Sequence, residues 1–193
     1  MSGAGHGHDA GHGGPENKKI ALLIAVLALV LAFSETLGKS AQTAGLSDNI
    51  EASNLWSFFQ AKTIRMTTLR TASEQSELEL KRTADPKAKE ALEQRIASWR
   101  KAVERYDSEP ETQEGRKELA ARAKTAEKKR DRSLAAYHHY ELASAAVQIA
   151  IVLASAAIIT SMMWLTWVSG GLGIIGVIFC LIGFLAPTSV HLF

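Results

Sequence analysis

Two long stretches of this chain carry no charge at all. Residues 20–34 and 142–187 contain no Asp, Glu, Lys or Arg, whereas residues 39–140 hold 20 of the 22 basic and 16 of the 20 acidic side chains. A helix needs about 20 apolar residues to cross a hydrocarbon core about 30 Å thick, because each residue advances its axis by about 1.5 Å. The uncharged stretches supply three such spans, at residues 20–38, 141–167 and 168–187. The predicted fold is therefore all-α. Three transmembrane helices carry a helical hairpin or small bundle (residues 39–140) inserted between the first and second, and the last soluble helix is continuous with the second span. Residues 1–19 form a His- and Gly-rich tail and residues 188–193 a short C-terminal one.

The net charge of +2 excludes a nucleic-acid binder, which would show a basic face without an equal number of carboxylates interleaved in it. The single cysteine, Cys180, lies in an apolar run, so no disulfide framework exists and the thiol reads as buried and inert. Lys18 and Lys19 ahead of the first span resemble the basic start of a signal peptide. No small-x-small cleavage site follows, and the segment continues into Glu35 and Lys39, so an uncleaved anchor is expected.

Trp164 and Trp167 are placed at the end of the second span as interfacial anchors, an indole having an apolar ring and one donor that prefers wet headgroups. Ser169, Gly170 and Gly171 then predict a tight turn into the third span. Small residues recur on one face of the first span (Ala21, Ala25, Ala28, Ala32) and of the second (Ala143, Ala146, Ala150, Ala154, Ala157, Ser161). Such spacing lets helix backbones approach closely where lipid removes the hydrophobic incentive to associate. The two spans are expected to pack through these faces, or to offer them to a second copy of the chain.

Between the spans three helices are predicted. Asp48 with Glu51 reads as a capping box that opens a helix over residues 48–82. Asp85 followed by Pro86 is an N-cap with proline at the first helical position, and Leu92, Ile96, Trp99, Val103 and Tyr106 then mark an amphipathic helix over 86–107. Ser108, Glu109 and Pro110 form a turn, and the third helix (116–140) runs on without Gly or Pro. Both spans must meet this segment at one membrane surface, so three upright helices would end on the wrong side. One is expected to lie along the membrane, with Trp56, Phe58 and Phe59 at the interface and Lys62, Arg65 and Arg70 snorkelling to phosphates. Packing of that face into a bundle is the favoured alternative. Basic residues near the membrane ends (Lys39, Lys128, Lys129, Arg130, Arg132) favour a cytoplasmic middle, while Lys18 and Lys19 favour a cytoplasmic N-terminus.

Two clusters are candidates for chemistry. His6, His8 and His12 lie among glycines, where imidazoles bind transition metals but an unscaffolded chain binds them weakly; a plain solvated tail is the other reading. Glu35 is the one ionisable side chain inside the first span, and intramembrane carboxylates are functional suspects. His138, His139 and Glu141 begin the second span at the same surface, so a proton or ion site with Glu35 is geometrically open; interfacial hydrogen bonding competes with it. No phosphate loop, metalloprotease helix, nucleophile elbow or cysteine pair occurs, so no enzymatic activity and no cofactor are expected.

The blocks ENKKIALLIAVLALVLAFSETLGKSAQT, IEASNLWSFFQAKTIRMTTLR, SEPETQEGRKEL, KRDRSLAAYHHYELASAA and APTSVHLF resemble a bacterial membrane-protein family, the domain of unknown function numbered 4337, over nearly the whole chain. The resemblance implies a multi-pass protein of a bacterial inner membrane and carries over no catalytic residue. The expected role is a non-enzymatic scaffold or accessory subunit that meets membrane lipid and either forms a homo-oligomer or joins a larger membrane complex. An oligomeric ion or proton conductor using Glu35 and the His138 to Glu141 cluster is the alternative, and metal binding by the histidine tail a third.

Overall fold

The computed structural model describes residues 15–189, and the described residues are helical apart from short connections. Four helices follow one another: α1 (Pro15–Arg82), α2 (Pro86–Asp107), α3 (Arg116–Thr160) and α4 (Met163–Leu185). Three of them, α1, α3 and α4, are long and apolar enough to cross a membrane. The chain divides into an apolar unit (residues 1–43 and 132–193) and a charged unit (residues 44–131).

α1 differs from the sequence expectation, which placed the end of a span near Gly38 and a new helix at Asp48. The helix is continuous from Pro15 to Arg82, and Asp48 and Glu51 lie in its interior. A capping box opens a helix only where the N–H groups of the first turn lack carbonyl partners; here residues 39–47 hold no proline and stay helical. The hydroxyls of Thr36 and Thr43 bond back to the carbonyls of Ala32 (2.7 Å) and Lys39 (2.9 Å), one turn earlier, and so do not compete with the helix for its backbone. Gly38 does not break the helix either. It is buried where a Cβ would meet Tyr140 Cβ at 3.3 Å, so the glycine admits α3 to close range.

In the charged unit the contacts run in opposite directions along the chain. As the α1 partner falls from Glu77 to Met66, Trp56 and Asn49, the other partner rises from Arg100 to Arg116, Glu127 and Arg130. α2 and α3 are thus both antiparallel to α1, one after the other along it. This corrects the expectation that one helix must lie along the membrane. Two shorter helices in series count as a single return pass, so the topological conflict disappears. The Leu55, Trp56, Phe59 and Met66 face of α1 is used against protein: Ala52, Leu55, Leu119, Ala123 and Ala126 form the core, with Trp56 and Phe59 packed on it, and Met66 is buried.

The connection between α2 and α3 is held by charge. Asp85 caps α2, its carboxylate accepting from Lys87 N at 3.2 Å, and Glu118 accepts from Ser108 Oγ (2.7 Å) and Glu109 N (3.1 Å) at the other end. The Ser108 hydroxyl and the Glu109 N–H hold the Glu118 carboxyl below its ordinary range. Asp107 is lowered too, by its hydrogen bond from Lys117 foremost. A Cβ on Gly115 would collide with the Glu118 carboxylate and Glu109 N, so this turn needs glycine. Lys62 is buried, with Glu109 at 3.9 Å and Glu114 at 4.0 Å and its ammonium over the Phe58 and Tyr106 rings. A buried ammonium without such partners would be costly.

In the apolar unit α1, α3 and α4 pack against one another. Ile20 meets Ala154 and Ala157, and Leu27 meets Val147 and Ala150. On α4, Gly173, Gly176 and Gly183 are buried and leave hollows for Leu27, Val147, and His139 with Tyr140 respectively. Ser169 Oγ donates to Ala150 O at 2.7 Å inside the unit.

Two expectations are corrected here. The turn between the last two helices lies at Ser161 and Met162, not at Ser169 to Gly171: Ser161 takes φ 57° and Met162 precedes the first turn of α4. The glycines remain helical, as they do readily in apolar helices, where close packing rewards them. Trp164 and Trp167 consequently open α4 instead of closing the preceding helix. The second correction concerns the alanine faces. Ala143, Ala150, Ala154 and Ala157 of α3 are buried and Ala146 partly so, but Ala21, Ala25, Ala28 and Ala32 of α1 are all exposed. α1 packs with its larger residues instead, because a hollow is needed on one side of a close contact only, and α3 and α4 provide it.

Candidate functional site

The sequence candidates near Glu35 are brought together in part. Within the apolar unit, α1 and α3 leave an open cleft of about 430 Å³ lined by Glu35, Lys39, Gln42, Tyr137, Glu141 and Gln148 among others. Glu35 Oε1 accepts a hydrogen bond from Gln148 Nε2 at 3.2 Å, joining residues 113 positions apart. Both side chains are exposed. Gln148 sits two helical turns inside the uncharged stretch that begins at residue 142, so the pair forms a polar patch on an otherwise apolar surface. A polar pair at that depth is expensive unless each group has a partner, and each satisfies one bond of the other. Ser34, beside Glu35, is fully buried, and its hydroxyl oxygen has no hydrogen-bond partner among the described residues.

The histidines separate. His138 Nδ1 lies 3.7 Å from Glu141 Oε2 one turn on, an ion pair when the ring is protonated. His139 points the other way. It is fully buried, its Nε2 lies 3.2 Å from Pro187 O, and its ring stacks on Phe179 at 6.2 Å. It thus belongs to the contact between α3 and the end of α4, with Gly183 against its Cβ, and does not line the cleft. The cleft accordingly holds Glu35 and Glu141 as acids, Lys39 as the one base and Tyr137 and Tyr140 as hydroxyl donors. The lining thus sets two carboxylates against one ammonium at the edge of an apolar segment. Gln148 is the residue that sequence reasoning did not connect with Glu35; its signal was being the one carboxamide in its apolar stretch.

The aromatic residues expected at a membrane interface also divide. Trp56 Nε1 donates to Glu127 Oε1 at 2.8 Å, its ring meets Phe59 edge to face at 5.4 Å, and Arg116 lies over Phe59 at 5.0 Å. Those two rings are structural parts of the charged unit. Phe58 is partly exposed with Lys62 over its ring, while Trp164 and Trp167 are strongly exposed on α4. His6, His8 and His12 lie outside the described residues. Among the described residues no group of three or more His, Cys, Asp or Glu side chains is arranged to hold a metal ion.

The chain matches, over residues 16–186, the family described as Domain of unknown function (DUF4337). It belongs to that family. No curated protein and no solved structure matches it. The DUF4337 match spans all four helices and the Glu35 cleft, so this cleft lies within the family's own domain and not in an appended segment.

Proposed function

We propose that this DUF4337 protein is a non-enzymatic scaffold or accessory subunit of a membrane complex, residing in a bacterial inner membrane. One observation carries the reading. The small-residue face of α1, Ala21, Ala25, Ala28 and Ala32, has the spacing of a close-packing helix surface yet is exposed. Intrachain packing uses only the matching face of α3. A surface of that kind in lipid gains by meeting a second helix, since lipid chains cannot follow backbone as closely as another helix can. The occupant is a second copy of the chain or a foreign subunit.

The test is the mass of the complex extracted gently from its native membrane, with every co-purifying chain identified, before and after Ala25→Leu with Ala28→Leu. Association that weakens in the double variant supports the reading. A wild-type chain that extracts as a monomer without partners sinks it. The bond between Glu35 and Gln148 favours a second reading, an oligomeric ion or proton conductor in which the cleft faces a shared path. Reconstituted flux abolished by Glu35→Gln would support it, and flux indifferent to that change would exclude it.

A further inference from the structure

We propose that a groove between the N-terminal ends of α1 and α4 is a binding site for a zwitterionic phospholipid carrying a primary amine, its headgroup at Glu16 and Lys19 and its acyl chain over Gly170 and Gly171. The groove lies within the apolar unit, has a volume of about 550 Å³ and is lined by Glu16, Lys19, Ile20, Trp167, Gly170 and Gly171, with Met163, Thr166 and Ile174 completing it. Its size falls in the range of about 300–1,000 Å³ typical of small-molecule sites.

The glycines carry the argument. A glycine in a helix is less favourable than alanine by about 1 kcal/mol, so each helical glycine calls for something that approaches its backbone. For Gly173 and Gly176 that neighbour is in the chain: a Cβ would meet Leu27 Cδ2 and Val147 Cγ2, each at 2.5 Å. Gly183 meets His139 and Tyr140 in the same way. A Cβ on Gly170 or Gly171 would meet nothing within 4 Å. Their flat backbone is the floor of the groove, and no side chain of this protein uses it.

The chemistry of the rim indicates what does. Glu16 and Lys19 are three residues apart, on one face of α1, and both are exposed. They present one negative and one positive group at the mouth of an apolar channel, which complements an ammonium and a phosphate joined by a short linker and followed by an acyl chain. Trp167, the most exposed of the groove's side chains, has the indole that prefers the headgroup level. Thr166 contributes a buried hydroxyl oxygen with no partner among the described residues, a donor suited to a lipid ester carbonyl. Phosphatidylglycerol would set an uncharged glycerol beside Glu16, where the ammonium of the zwitterion forms an ion pair. Rim charges of both signs therefore select the zwitterion.

The full chain is reconstituted in vesicles equimolar in phosphatidylethanolamine and phosphatidylglycerol, released into mild detergent, and weighed by native mass spectrometry with its retained lipids. The wild type is expected to retain phosphatidylethanolamine in preference to phosphatidylglycerol. Gly171→Leu, at a position where an added Cβ meets nothing within 4 Å, fills the floor and is expected to lower that retention about tenfold. Glu16→Gln, on an exposed position that bears on no packing contact, is expected to abolish the preference between the two lipids while leaving some lipid bound. Equal retention of both lipids by the wild type overturns the proposal. So does Glu16→Gln with the preference intact, or Gly171→Leu with an altered oligomeric mass and undiminished lipid, which would make the groove a contact between copies.

Discussion

In the apolar unit the close contacts pair a large side chain with a hollow: Leu27 with Gly173, Val147 with Gly176, Ile20 with Ala154 and Ala157. In the charged unit Leu55, Trp56, Phe59 and Leu119 come together as large side chains beside Ala52, Ala123 and Ala126, and ion pairs surround them. The difference follows from the solvent each composition anticipates. Where lipid surrounds a helix, burying Leu against Leu gains little, and shape is what distinguishes protein from lipid. Where water surrounds it, each buried Leu brings a transfer free energy of its own. One chain therefore applies two packing rules, one over residues 44–131 and the other in the segments that flank them.

Substitutions that exchange the rules break this comparison most sharply. Leu119→Ala, at a side chain with no exposure, is expected to cost about 2–5 kcal/mol of charged-unit stability in chemical denaturation. Gly176→Leu, harmless by hydrophobicity, is expected to cost about 1–3 kcal/mol or more, because its Cβ already meets Val147 Cγ2 at 2.5 Å and Ala143 O at 3.2 Å; Gly170→Leu, on the open side of the same helix, should stay within about 0.5 kcal/mol of wild type in the same assay. Trp56→Phe keeps the ring and loses the bond to Glu127, an expected loss of about 1 kcal/mol.

The smallest effect is the one with pH. Asp107 and Glu118 have folded pKa values below their ordinary range, so their contribution is complete above about pH 5 and is lost as pH falls through the lowered folded values. Asp107→Asn should flatten that part of the acid limb of a stability profile. An unchanged acid limb would mean that Lys117 and Arg116 do not hold the connection between α2 and α3 in solution.

What could be read from the sequence was what local chemistry decides. Asp85 and Pro86 mark the start of α2, and Ser108 to Pro110 its end, because a cap and a proline act on the backbone beside them. The break expected at Asp48 failed for the converse reason. A cap residue acts only if its neighbours leave the helix, and nothing between Lys39 and Ser47 makes them do so. The hairpin turn was misplaced because a Gly pair is the strongest local turn signal, while Ser161 and Met162 carry none. At the cleft, Glu35 could be singled out as a carboxylate in an apolar run. Its bond to Gln148 could not, since it depends on the register between α1 and α3, which is set by contacts between distant parts of the chain such as Leu27 with Val147 and Ala150. The same register decides which alanines are covered, and nothing in their spacing distinguishes Ala25 from Ala150.

The link at Ser161 and Met162 bears on how such a chain would be threaded into a bilayer during synthesis. Residues 142–189 hold no Lys or Arg, so no positive charge within them sets the direction of α4. Two residues cannot form a loop that waits on one side while a choice is made. In a bilayer α4 would enter as the second arm of a pair whose orientation Lys128 to Arg132, upstream of α3, would set. A reporter fused after residue 189 would then register the side on which those basic residues were retained, and moving them would turn both arms over together.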